Sequence, residues 1–498
     1  MELFIITMYI ISLSVLFIFS SHGFVMVYHY LKLKNKKEIA PTLDEKNLPI
    51  VTIQLPLFNE KYVVRRLIDA CCKIDYPKNK LEIQVLDDST DDTVALVASI
   101  VSEMKEAGNN ILHIRRTNRK GFKAGALKEG LEVAKGEFIA VFDADFVPKK
   151  DFLKNTLSYF ENKKIGMVQS RWEHLNENYS FLTKIQALAL DGHFVIEQAY
   201  RNKAGYFINF NGTGGIWRKS CIIDAGNWQS DTLTEDLDLS YRAQLKGWKF
   251  KFLTNVTSPA ELPADINALK SQQFRWTKGA IETSRKLLPK VWKSKMSLKL
   301  KIHSTFHLTN NFAFPFIILA GFFNVPLVFI KHAGGYENYF DFMSLFIFAF
   351  IGSFLFYMFS QKAIYKDWQD RMKLFPLFMA GSMGFSINNT KAVLEGLFKK
   401  KSEFVRTPKY SIKEKNDSWK DKQYVPVKLS WIVWVEFSLA IYCLIGLTAS
   451  IIYLEITAIP FQFLYFFGYA SVSYLSFQQA FEARRVKLNN LEASFATN

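Results

Sequence analysis

The chain has 498 residues, 49% of them hydrophobic and 15% aromatic, and a formal net charge of +17. That length holds more than one domain, and the apolar residues gather at both ends around a middle that reads as an ordinary mixed globular domain. The basic excess would suit nucleic acid, but much of it flanks apolar runs, in Lys32–Lys37 and Lys399–Lys401, and no aromatic-flanked base-reading motif occurs. A membrane protein with basic cytoplasmic loops is expected, and a nucleic-acid binder is not. The four cysteines, Cys71, Cys72, Cys221 and Cys443, show neither a disulfide framework nor metal-ligand spacing. They read as small apolar residues in a reducing compartment.

Residues 3–28 carry almost no charge, and about 20 apolar residues span a bilayer. A cleaved signal peptide would have a basic start and a shorter apolar core. This run starts Met1-Glu2 and is longer, so residues 1–46 are expected to be a retained anchor and a basic linker. The Lys32–Lys37 cluster belongs in the cytosol, which places the N-terminus outside and the next domain inside.

From residue 47 to 290 short apolar runs alternate with helical patterns. Residues 50–55 read as a strand, 60–73 as a helix, and 82–86 as a strand that stops at Asp87-Asp88. Residues 93–107 read as a helix with Asp91 and Asp92 as capping carboxylates. Residues 111–114 are a strand, 124–134 a helix, and 137–142 a strand ending at Asp143. The alternation predicts an α/β fold with a parallel sheet. Ligands of such sheets bind beyond the carboxyl ends of the strands, where Asp87, Asp88, Asp143 and Asp145 all fall. No Gly-x-Gly-x-x-Gly follows a strand and no Walker lysine motif occurs. A bound phosphate must then be held by a metal or by basic side chains.

Asp143-Ala-Asp145 sets two carboxylates around one strand-end loop, and Mg2+ or Mn2+ prefers carboxylate and phosphate oxygens. Thr234 is a helix N-cap candidate, and Glu235 and Asp236 suit a helix N-terminus. Successive helical residues diverge by about 100°, which predicts that only one of these two acids faces a site. Gln272, Arg275 and Trp276 share one helix face. Arg can bind phosphate bidentately and Trp can stack on a flat apolar partner. Phe210–Gly215 is Gly-rich without a following Lys-Ser/Thr, and its Asn211 and Gly212 would let a ligand approach the backbone closely. Arg115, Arg116, Arg119, Lys120 and Lys123 read as a solvated face. His193 and Glu197 read as a packed polar pair on a helix.

Residues 291–498 alternate apolar and basic segments. Spans are expected at about 311–329, 342–359, 429–453 and 458–477, giving five with the anchor. Residues 399–428, expected inside, hold ten Lys/Arg against four Asp/Glu, as the positive-inside rule requires. Residues 374–398 are too polar to face lipid and are expected to lie as a helix in the interface plane.

The series Leu86-Asp-Asp-Ser-Thr-Asp91, Phe142-Asp-Ala-Asp-Phe146, Thr234-Glu-Asp236 and Gln272-Gln-Phe-Arg-Trp276 resembles glycosyltransferase family 2 in its processive membrane branch. Within it, Phe210-Asn-Gly-Thr-Gly-Gly-Ile-Trp-Arg218 and the doubled Gln272-Gln273 are most like the plant cellulose-synthase-like A and C groups, the mannan and glucan synthases. The resemblance covers most of the chain. It implies a GT-A-type nucleotide-sugar domain at 47–290 between transmembrane regions. It also implies a metal-dependent inverting hexosyltransferase that uses GDP-mannose or UDP-glucose and extends a β-linked polysaccharide coupled to its export. By resemblance Asp87 and Asp143 contact the nucleoside, Asp88 joins the nucleotide-sugar site, and Lys123 meets the diphosphate. Asp145 with Asp143 ligates Mg2+ or Mn2+, and Asp236, with Asp87, is catalytic. Gln272 and Arg275 face donor and diphosphate, and Trp276, Asn211 and Gly212 meet the acceptor. Residues 399–410 resemble a gating loop, with Phe404, Thr407 and Lys409 in its motif and Arg406 where a Val is usual. A transferase adding one sugar to a lipid-linked acceptor is the alternative. Homo-oligomers and export partners are left open.

Overall fold

The computed structural model describes residues 1–36, 41–402, 405–420, 422, 424 and 429–496. Lys37 of the basic cluster and Phe404 of the gating-like loop lie outside the described residues. The central domain is built on a sheet of seven strands: β1 Val51–Leu57, β2 Leu81–Asp87, β3 Ile111–Arg115, β4 Phe138–Val141, β5 Ile165–His174, β6 Gly215–Arg218 and β7 Lys249–Ala260. Their order is β3-β2-β1-β4-β6-β5-β7. The expected β1 to β4 form a parallel half. β6 runs antiparallel to β4 and β5, and β5 is parallel to β7.

Apolar residues pack on both faces of this sheet. Val51, Ile53 and Leu55 of β1 meet Val64, Leu67 and Ile68 of the Val64–Cys72 helix on one side. Leu127, Ile139, Val141 and Trp217 form the other core. The alternate residues of β1 are polar yet equally buried. Both find partners across the parallel register: Thr52 Oγ1 donates to Glu82 Oε2 at 2.7 Å and Gln54 Nε2 to Gln84 Oε1 at 3.0 Å. Most buried polar groups in proteins are paired in this way. Cys71, Cys221 and Cys443 are buried and all four cysteines are free thiols.

Among the described residues, four helices are long and apolar enough to cross a membrane: Glu2–Leu33, Leu298–Ala333, Glu337–Ile364 and Trp431–Ile452. They take in the expected anchor and three of the expected spans. The segment expected as a further span opens the Ile459–Ala496 helix, where Gln462, Tyr465, Tyr469 and Ser473 dilute the apolar run and leave it outside that set. Residues 374–398 are not one helix but two, Phe375–Gly384 and Ser386–Leu397, broken at Phe385. Their polar residues are bonded to protein: Asn388 Nδ2 donates to the Lys270 carbonyl at 3.0 Å and Ser386 Oγ lies 3.1 Å from Tyr469 Oη.

The long Ile266–Lys293 helix joins the two regions. Lys270 Nζ, nearly buried, reaches Glu436 Oε2 at 2.6 Å and Ser476 Oγ at 2.9 Å. Gln479 Nε2 donates to Asp265 Oδ1 at 2.7 Å, and Lys278 lies 3.4 Å from Glu395.

Candidate active site

One cleft opens at the carboxyl ends of β1, β2 and β4 and gathers most of the residues singled out from the sequence. Asp88, Lys123, Asp143, Asp145, Asn211, Gly212, Asp236, Gln272, Arg275, Trp276, Thr407 and Lys409 all line it. They come from seven separate stretches of chain, which β-strand order and helix packing bring together.

The centre of the cleft is an alternation of charge. Lys123 Nζ lies 2.6 Å from Asp143 Oδ1, 3.9 Å from Glu235 Oε1, and donates to the Gly212 carbonyl at 2.9 Å. Lys409 Nζ lies 2.6 Å from Asp145 Oδ2 and donates to the Glu261 carbonyl at 3.2 Å. Arg275 Nη2 donates to Thr407 Oγ1 at 2.6 Å. Arg406 reaches Glu60 at 2.7 Å. The loop carrying Arg406, Thr407 and Lys409 therefore closes over the cleft. Asp143 is fixed through its backbone N–H, which donates to Thr213 Oγ1 at 2.9 Å.

Asp236 opens the Glu235–Leu245 helix, and its Oδ1 accepts from the Leu237 N–H at 2.8 Å. Burial, and then the neighbouring Glu235 carboxylate, push its pKa up to about 7. Burial likewise raises Asp143 against the pull of Lys123. Burial opposes the charge on Lys123, but Asp143 and Glu235 outweigh it and its pKa stands above the usual value. Gly212 holds φ +80°, and a Cβ there would lie 3.2 Å from Asp236 Oδ2. Gly279 lets the long helix touch Thr234: a Cβ there would lie 2.5 Å from Thr234 Cγ2 and 2.8 Å from its backbone N.

Several expectations are corrected. Asp87 does not line the cleft; it is buried, with Oδ1 accepting from the Ser89 N–H and Oδ2 against His113, each at 2.9 Å. Asp88 lines the cleft wall, gripped by both arms of Arg116. Glu235 and Asp236 both line the cleft, because the helix presents its N-terminal end to it, with Thr234 beside them, and side chains that diverge around the axis still border one opening. Thr234 sits at the N-cap without a side-chain cap bond; its hydroxyl faces Thr283 Oγ1 at 3.3 Å. Asp91 caps its helix through the Thr93 N–H at 3.0 Å, and Asp92 makes no cap bond. The His193–Glu197 pair forms, at 2.6 Å, inside a π-helical turn at Gly192–Gln198. It also reaches the site, since Asn211 Nδ2 lies 3.0 Å from His193 Nε2.

The structure adds Glu60, Arg119, Trp172, His174, Glu261 and Arg406 to the cleft wall. Trp172 packs 6.4 Å from Trp276, ring to ring. Arg119 stood in a basic run that reads as a solvated surface. The signal that would have found it is its place just after β3, at the carboxyl edge.

Residues 49–279 match the family described as "Glycosyltransferase like family 2". Over 277 residues the chain is 42% identical to glucomannan 4-beta-mannosyltransferase 1 of Oryza sativa subsp. japonica, covering 55% of this chain and 53% of that protein. It is 42% identical over 258 residues to glucomannan 4-beta-mannosyltransferase 2 of Arabidopsis thaliana, covering 51% and 48%. The chain thus spans about half the length of the curated relatives it matches. Among solved structures, a mannosyltransferase from Pyrobaculum calidifontis, in complex with GDP-Man and Mn2+, shares the fold. Its TM-score is 0.54 at 18% identity, over 78% of this chain and 100% of that one. The α/β fold is GT-A-like, and residues 49–279 are similar to the glycosyltransferase-like family 2.

Proposed function

We propose that this chain is a membrane hexosyltransferase that moves a sugar from GDP-mannose or UDP-glucose, with inversion, onto a growing β-linked polysaccharide coupled to its export. The observation that carries the reading is the convergence of Asp143, Asp145, Asp236 and Gln272–Trp276 on one cleft at the carboxyl edge of the sheet. The plant relatives are named for glucomannan 4-β-mannosyl transfer, which favours a polymer acceptor.

The chemistry follows from where the groups stand. Asp236 takes the proton from the attacking acceptor hydroxyl, a task suited to a base whose pKa lies near the working pH. Trp276, with Trp172 beside it, forms the platform on which the acceptor sugar rests. Lys123 and Arg275 balance the diphosphate that leaves. Asp143 and Asp145 offer hard oxygen donors for Mg2+ or Mn2+, and each already holds an ammonium group. Of the other carboxylates on the wall, Asp88 and Glu261 are held by Arg116 and Arg66, which leaves the Asp143–Asp145 loop as the place for a divalent cation. Mg2+ is commonly held by one or two carboxylates plus substrate phosphates, a set to which Asp143 and Asp145 would supply the carboxylates. Such an ion neutralises charge developing on the leaving diphosphate. Asp87 serves behind the wall, fixing the turn that presents Asp88.

The basic loops put the catalytic domain and residues 399–428 in the cytosol and the N-terminus outside. Residues 374–398 lie against the cytosolic interface. The test is the full chain in membrane vesicles, supplied in turn with each radiolabelled nucleotide sugar and followed by linkage analysis. A labelled β-linked polymer is expected. Label confined to a single sugar on lipid would overturn the reading.

Trp276→Ala is expected to slow elongation about ten-fold, the scale of a lost stacking contact and its buried area, while donor hydrolysis by water continues. Nucleotide release with and without acceptor separates the two rates. Normal elongation would mean that Trp276 only packs. Gly279→Ala should drive Thr234 outward and displace Asp236. An ångström of misplacement can cost about 10²-fold in rate, so transfer should fall at least ten-fold with helix content by circular dichroism unchanged.

A further inference from the structure

We propose that Arg119 makes this chain select a guanosine donor over a uridine one, by presenting its guanidinium fork to the O6 and N7 edge of guanine. The inference rests on the nucleotide-sugar reading above and commits it to one nucleoside.

Arg119 stands between β3 and the Phe122–Val133 helix. Its guanidinium carbon lies 3.2 Å from the centre of the Phe58 ring, with Phe122 flanking at 5.1 Å. Stacking of this kind holds the planar group in one orientation and leaves its edge for hydrogen bonding. The other cations of the cleft are taken. Lys123 is held by Asp143, Arg406 by Glu60, Lys409 by Asp145 and Arg275 by Thr407. Asp88, the carboxylate whose charge acts on Arg119, is gripped by Arg116 through both oxygens. Arg119 makes no hydrogen bond or ion pair to any described residue, and its Nε is buried without a partner. A guanidinium so placed lacks an acceptor that a ligand would supply.

Its position indicates which part of the ligand that is. Phe58 follows β1, Asp88 follows β2 and Arg119 follows β3, so these residues form one end of the cleft. Asp143 and Asp145 follow β4, and Asp236 and Trp276 lie beyond. The reacting diphosphate belongs to the β4 side. The β1–β3 side has an apolar wall of Pro56, Leu57 and Phe58, which suits a flat base. Guanine shows two adjacent acceptors, N7 and O6, the pair that an arginine fork matches. Uracil shows O4 beside an N–H donor, so the fork finds one acceptor. A good bidentate pair discriminates by about ten- to a hundred-fold.

The test uses the full chain in detergent micelles with excess Mg2+, measuring equilibrium binding of GDP, UDP and 7-deaza-GDP, which lacks N7. Wild type should bind GDP about ten- to a hundred-fold tighter than UDP, and 7-deaza-GDP more weakly than GDP. In Arg119→Lys the GDP affinity should fall toward that of UDP, UDP should change little, and the 7-deaza penalty should vanish. Equal affinity of wild type for GDP and UDP overturns the proposal, as does an unpenalised 7-deaza-GDP, a comparison that needs no variant. Equal loss of both nucleotides in the variant assigns Arg119 to the phosphates and also overturns it. If wild type binds UDP tightly and GDP poorly, the inference falls and the nucleotide-sugar reading stands. If it binds neither, both fall.

Discussion

Replacing Asp236 by Asn should cut sugar transfer by about 10²–10⁴-fold, the usual contribution of a general base, while nucleotide binding stays within about two-fold. The substitution keeps shape and hydrogen-bonding capacity and removes only basicity. The same residue predicts the pH profile. Burial and Glu235 hold its pKa up to about 7, and a base works only when deprotonated. Transfer should therefore fall as pH drops below about 7 and level off above it. The Asn variant should lose that acidic limb. Turnover across pH beside donor affinity checks both points, and near-normal synthesis by Asp236→Asn would remove it from the reaction.

Chelation should abolish transfer, and added Mg2+ or Mn2+ should restore it. The expected loss is about 10³-fold, since a metal that stabilises transition-state charge contributes several kcal/mol. Asp145→Ala should show a similar loss that the metal concentration rescuing wild type does not rescue. Asp145 is within 2.6 Å of Lys409, so its removal also frees that lysine. Thr407 and Arg275 still tie the same loop to the cleft, and loop closure should survive. Assays with metal titrated into chelated protein separate these effects. Full turnover in excess chelator would show that the carboxylates pair only with lysines.

Much of this was legible before any coordinates. β1 to β4 announce themselves because each is a short apolar run bounded by a helical pattern, and Asp143 and Asp145 fall at a strand end by counting alone. β6 has four residues after a Gly-rich turn, and β7 carries polar residues and a register shift opposite β5; neither has the period that betrays a strand. Asp87 and Asp88 are adjacent and alike, and only the packing of His113 and Arg116 decides which one meets the cleft. Arg119 is indistinguishable in sequence from its basic neighbours, because what sets it apart is the ring of Phe58, 61 positions upstream. The polarity of residues 374–398 answers to Lys270 and Tyr469, partners far away in the chain that no local pattern reveals.

The contacts of Lys270 bear on where this protein can be cut. Family likeness ends at residue 279, a natural place to truncate for a soluble catalytic fragment. Yet Lys270 is neutralised by Glu436 and steadied by Ser476, and Asp265 by Gln479, all beyond that boundary. A fragment ending there would discard these partners and open to water the face of the Ile266–Lys293 helix that they cover. The end of the family match thus falls inside a helix that is bonded to the bundle, not at an edge of the fold.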